Sequence, residues 1–282
     1  MKLKTFYKIY YSHRVKKSSF LLTIYIFLTL PFIYLINKLL LESLINLDEF
    51  SKKNQYLFKK DLKFLFQFFN SDKGESFKNQ YQKPIKLENN EIIGHKYHKF
   101  YEKFLSNKKE NFLDILEIGT FKGNATAAFY FYFKNSKITS VDIFPDLIRY
   151  KSNRITNFYL DNSKESDLQE KILSKNLQYD LIIEDAGHYY KDQIISLFSL
   201  FESLKKNGIF VVEELDFPDT RYDMNIDRKK PTLRDILFLI QNKKDFNSEL
   251  ITQKQKKFFL ENYKSIEIFN GQFNQIAFIV KK

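Results

Sequence analysis

Two short stretches of this sequence concentrate groups able to bind cations and move protons. One is Glu184-Asp185-Ala186-Gly187-His188; the other is Glu213-Glu214, followed by Leu215 and Asp216. Each comes straight after an apolar run that reads as a buried strand. If the two strands lie side by side and parallel, Asp185, Glu213 and Glu214 meet on one rim. Clustered carboxylates repel one another unless a cation or a proton intervenes. With hard oxygen donors and no cysteine in the chain, the expected ion is magnesium, with manganese or calcium as alternatives. His188 lies three residues beyond Asp185, and an imidazole there suits removal of a proton from a hydroxyl. The plainer alternative is that Asp185 caps a helix starting near Tyr189 and that His188 is a surface histidine.

A second constellation lies upstream. Glycine is scarce, seven in 282 residues, and two are spent in Glu117-Ile118-Gly119-Thr120-Phe121-Lys122-Gly123. Gly119 and Gly123 flank a strand-to-helix turn, where a backbone without side chains can approach a ligand and a helix N-terminus adds donors. About 20 residues on, a strand ends at Asp142, placed to take ribose hydroxyls. A third strand closes at Asp161-Asn162, where an adenine would sit. Phe121 occupies a position that the dinucleotide pattern G-x-G-x-x-G reserves for glycine, which weighs against a nicotinamide cofactor.

These residues need a scaffold that brings strand ends together. Apolar runs predict strands at 114–120, 138–144, 157–161, 179–185 and 208–214. Helical patterns fall between them, at 124–133, after 185 through 204, and after Pro231. The end of the chain reads as an antiparallel pair. Alternating strands and helices predict an α/β fold with a Rossmann-like, doubly wound seven-stranded sheet over 111–282. Residues 48–110 read as a helical connector and lid, with helices at 56–69 and 96–105 and loops at 71–74 and 81–94.

The first 47 residues differ in kind. Six basic residues and no acid occupy 1–17, and 18–37 carry no charge, long enough to span a bilayer. Pro31 predicts a break into two short helices, about 19–30 and 32–47, dipping into the membrane and returning. The extension at 18–47 is thus expected to be membrane-associated, with the catalytic domain on the cytoplasmic side. The net charge of +12 does not indicate a nucleic-acid partner, because only six of the 46 basic residues are arginine. Absence of cysteine excludes disulfides and zinc–thiolate sites.

Five segments together resemble the macrolide sugar O-methyltransferases of the mycinamicin and tylosin pathways and their cephalosporin-hydroxylase-like relatives. They are Ser71-Asp72-Lys73-Gly74, the stretch Gly94 to Glu102, Leu116 to Gly123, Asp185 to His188, and Glu213-Glu214. The resemblance covers about 71–282. It implies a class I methyltransferase fold and S-adenosylmethionine bound by Glu117, Gly119, Thr120 and Asp142. It also implies magnesium held by Asp185, Glu213 and Glu214, His188 as general base, and a lid formed by the 71–74 and 95–97 regions. The acceptor implied is a sugar, glycan or related small molecule. Two departures stand out: Glu214 replaces an expected aspartate, and the run after it, Leu215 to Asp223, does not match the family. Alternative readings are a metal-independent methyltransferase, a membrane-tethered binding protein without activity, and an iron oxygenase relative; the last would need a second histidine near His188.

Overall fold

The structure is a computed structural model that describes residues 20–40, 44–78 and 91–282. Seven strands form the central sheet: Asp114–Ile118 (β1), Lys137–Asp142 (β2), Ile155–Tyr159 (β3), Tyr179–Glu184 (β4), Leu204–Val212 (β5), Tyr263–Asn270 (β6) and Gln275–Lys281 (β7). Their order is β3-β2-β1-β4-β5-β7-β6. The first five pair in parallel, and β7 runs antiparallel between β5 and β6. This is the doubly wound sheet with a terminal hairpin that the alternation of patterns predicts. The order reverses between β1 and β4, and such switch points open a crevice beyond the strand carboxyl ends.

Both faces of the sheet are buried, which is why the strands read as continuous apolar runs. Ile115, Leu181, Ile183, Val211 and Phe278 pack on one side, while Leu116, Ile182, Phe210, Val212 and Ile279 pack on the other. The second side is covered by helices Tyr190–Leu200, Leu233–Gln241 and Gln253–Asn262. On the first side, helix Asn124–Tyr132 is buried nearly all round, so its apolar residues show no single face.

That first side is completed by the segment expected to be a connector. Leu47, Leu57, Leu62, Leu65 and Phe66 are fully buried with Phe129 and Phe131. Asp48 fixes the segment further: its carboxylate accepts from the Tyr130 hydroxyl at 3.0 Å, the Ser152 hydroxyl at 2.6 Å and the Asn153 N–H at 2.7 Å.

Several boundaries differ from expectation. The helix predicted over 56–69 is a 3₁₀ turn, Gln55–Lys59, and a separate helix, Leu62–Phe68. They part because the Asp61 carboxylate accepts from the Phe64 N–H and starts a new helix. The helix predicted to reach 204 ends at Leu200, and β5 starts at Leu204, four residues early. Strand β5 also stops at Val212, so Glu213 and Glu214 lie beyond it. Pro231 precedes the capping residue Thr232 rather than opening the helix. The loop expected at 81–94 falls mostly outside the described residues; its end forms a short strand, Glu91–Ile93, paired with Ser76–Lys78.

The expected break at Pro31 is absent. One helix, Phe20–Leu40, runs through it, since proline removes one backbone donor without unseating the turns on either side. Among the described residues no helix is long and apolar enough to cross a membrane, so the expected membrane segment finds no support over 20–40; its positions 18–19 and 41–43 lie outside the described residues.

Candidate active site

The crevice at the switch point is a cleft of about 1020 Å³. Gly119 forms its seam. Its φ is +91°, and a Cβ there would lie 1.9 Å from the Asp185 carbonyl oxygen. Glycine is therefore required to let the β1 turn pass the end of β4. Gly119 and Thr120 donate their N–H groups to the Val141 carbonyl at 2.9 and 3.3 Å. Gly123, also at positive φ, caps helix Asn124–Tyr132, and a Cβ there would meet Ile148 at 2.7 Å.

One half of the cleft is lined by seven of the residues expected to take the cofactor, Glu117, Gly119, Thr120, Phe121, Asp142, Asp161 and Asn162; Gly123, the eighth, lies off the lining and shapes the turn instead. Their polar groups are largely engaged by neighbouring groups of the turns and helices around them. The Asp142 carboxylate accepts from the backbone N–H of Phe121 at 2.8 Å and of Phe144 at 2.7 Å. Burial raises its pKa and these two donors oppose the rise. Glu117 is buried and accepts from the Thr126 hydroxyl; burial pushes its pKa up to about 7. Asp161 accepts from Ser163 and pairs with Lys164 at 2.7 Å. Asn162 donates to Glu184 at 3.2 Å and to the Ser196 hydroxyl at 3.1 Å.

The other half is the acidic rim. Asp185, His188 and Glu214 each offer a ligand atom, and these atoms lie within 4.8 Å of one another. His188 Nε2 is 3.6 Å from Asp185 Oδ1 and 3.7 Å from Glu214 Oε2. Glu214 is 4% exposed, yet its Oε2 has no hydrogen-bond partner. Burying a carboxylate oxygen without a donor is costly, and a cation is the usual remedy. The residues present thus fit a divalent ion. His188 and Glu214 both hold positive φ, +53° and +45°, conformations unfavourable for side chains with a Cβ and common where function fixes geometry. Asp185 does not cap the following helix; Tyr189 holds that position, with no side-chain cap.

Glu213, the third acid predicted on this rim, points elsewhere. Its Oε2 accepts from Lys73 Nζ at 2.7 Å and its Oε1 from the Tyr101 hydroxyl. Lys73 Nζ also bonds Asp185 Oδ2. Burial alone would lower the lysine pKa, but Asp185 and Glu213 outweigh it and hold the value well above normal. Burial, reinforced by the Lys73 charge, pushes the His188 imidazole down to about 3, so it is neutral at physiological pH. His95 adds a further contact, Nε2 to Glu214 Oε1 at 3.3 Å. Lys73, His95 and Tyr101 fall within the motif regions noted in the sequence, but they carried no chemical role there. The one signal for Lys73 was that so many carboxylates need a counter-charge.

Strand order, glycine turn and strand-end acid together define the class I methyltransferase fold, and known proteins bear this out. MycE methyltransferase from the mycinamycin biosynthetic pathway, solved in complex with Mg and SAH, superposes with a TM-score of 0.58 at 16% identity. The match covers 79% of this chain and 55% of that one. Its complex with Mg, SAH and mycinamycin VI gives 0.59 at 17% identity, covering 79% and 54%. In sequence, the malonyl-[acyl-carrier protein] O-methyltransferase of Acetivibrio thermocellus is 27% identical over 122 residues, 42% of each chain. The chain therefore matches about half the length of these relatives. No protein-family profile matches it.

Proposed function

We propose that this chain is an S-adenosylmethionine-dependent O-methyltransferase that uses a divalent ion, with magnesium first among candidates, to act on a hydroxyl of a sugar, glycan or related small molecule. The observation that carries the metal reading is the buried, unpartnered Glu214 Oε2 facing Asp185 and His188. The MycE complexes with Mg and SAH support the same pairing of ion and donor.

Asp185 and Glu214 would hold the ion, which when bound lowers the pKa of a hydroxyl it contacts. Magnesium prefers oxygen donors, which leaves the His188 imidazole free as base. His188 takes the hydroxyl proton as the oxygen attacks the methyl carbon and the carbon–sulfur bond breaks. Because burial keeps this imidazole a weak base, the acidified hydroxyl rather than the strength of His188 would favour the proton transfer. Gly119, Asp142 and Glu117 orient the donor at the switch point, so that the protein's main contribution is alignment. Phe217 packs its ring edge against His188, centroids 5.4 Å apart, and offers an apolar wall for the acceptor.

Transfer of labelled methyl from S-adenosylmethionine to a glycan or small-molecule fraction, with and without EDTA, tests the proposal. The expected result is transfer that EDTA abolishes and magnesium restores. Transfer indifferent to EDTA would point to metal-free chemistry; no donor binding by calorimetry would remove the enzyme reading altogether.

A further inference from the structure

Lys73 is an unusual residue to find at a proposed cation site. It is 2% exposed, and its ammonium lies against two of the rim's carboxylates. A buried ammonium persists only where negative partners offset its lost hydration. Its placement is built into the backbone rather than incidental. The Lys73 carbonyl accepts from the His98 N–H at 3.1 Å, and the flanking Asp72 and Gly74 carbonyls accept from His95 at 2.7 Å and Lys96 at 3.0 Å.

The consequence for the rim is a division of oxygens. Both Glu213 oxygens are engaged from the interior, one by Lys73 and one by Tyr101. Asp185 gives Oδ2 to Lys73 and turns Oδ1 toward His188. Glu214 Oε2 is left without a donor. We propose that Lys73 is a positioning residue, a resident single charge that removes Glu213 and one Asp185 oxygen from contention and confines the divalent ion to the Asp185–Glu214 face beside His188. This rests on the metal reading above and departs from a ligand set that includes Glu213.

An ammonium so close to a dication must weaken its binding. The test is Mn²⁺ binding to the full chain, without donor or acceptor, followed by electron paramagnetic resonance, with thermal melts to confirm folding. Lys73→Met should bind Mn²⁺ at least about tenfold more tightly than wild type, and Lys73→Arg, which keeps the charge, about as wild type. If Lys73→Met fails to fold, the charge-neutral double variant Lys73→Met/Glu213→Gln carries the test and should stay within about threefold of wild type.

Unchanged or weaker binding by folded Lys73→Met would overturn the inference. So would a loss beyond about thirtyfold in the double variant, because Glu213 would then be a ligand and Lys73 a stand-in that the ion displaces. Those results leave the metal reading intact. Wild-type protein that binds no Mn²⁺ at about millimolar metal would end the metal reading itself, and the role of Lys73 with it.

Discussion

The two halves of the cleft solve opposite problems. On the donor side, Asp142 is satisfied by backbone N–H groups of the adjoining turns, and Glu117 by a hydroxyl of the helix that follows. On the acidic side, carboxylates are held by an ammonium and a hydroxyl drawn from distant parts of the chain: Lys73 lies 112 residues from Asp185, and Tyr101 lies 112 residues from Glu213. The first half meets its buried acids with donors from its own turns and helix. The second leaves one buried carboxylate oxygen, Glu214 Oε2, without a hydrogen-bond donor. Local geometry therefore satisfies the first half, and long-range electrostatics sets the second.

The seam between the halves is the most sensitive place to break this arrangement. Gly119→Ala would put a methyl against the Asp185 carbonyl at a φ that disfavours it. Both strand ends are fixed, so the expected loss is more than about 4 kcal/mol of stability, seen as a collapsed thermal transition. A stable variant with normal donor binding would show that the halves are not rigidly joined. On the acidic side, His188→Ala should leave donor affinity unchanged in calorimetry while turnover falls by about two to four orders of magnitude. Equal loss of both would mean that the halves are one site.

The donor side has its own signature in pH. Burial raises the Glu117 pKa from 4.5 to about 7 in the fold. A raised carboxylate favours the folded state fully below about pH 4.5 and loses that contribution as pH climbs to about 7, a loss on the order of 3 kcal/mol. Glu117→Gln should remove this part of the slope in denaturant titrations run across that range. An unaltered slope would place the titration elsewhere.

What the sequence disclosed follows the same division. Strands β1 to β5, the glycine turn, Asp142 and the acids after β4 and β5 were legible because each depends on spacing within a few tens of residues. The parting of Asp185, Glu213 and Glu214 between an ammonium and an open face was not. It depends on where the Ser71–Gly74 turn docks, and no local pattern encodes that. Tyr101 was hidden for a similar reason: it sits in a helix read from its apolar period, and nothing in that period says that its hydroxyl meets a buried glutamate. The single helix through Pro31 shows the converse, a strong local signal that the chain overrides.

The packing of Leu47, Leu62 and Phe66 against the sheet-side helix has a practical consequence. A shortened polypeptide starting at residue 111 would keep every strand of the central sheet yet lay bare the greasy flank that these side chains shield, and it would also lose the lysine that pairs with Asp185 and Glu213. A piece that keeps both this packing and that ammonium must therefore begin ahead of residue 47, and the stretch before the sheet is part of the fold's wall.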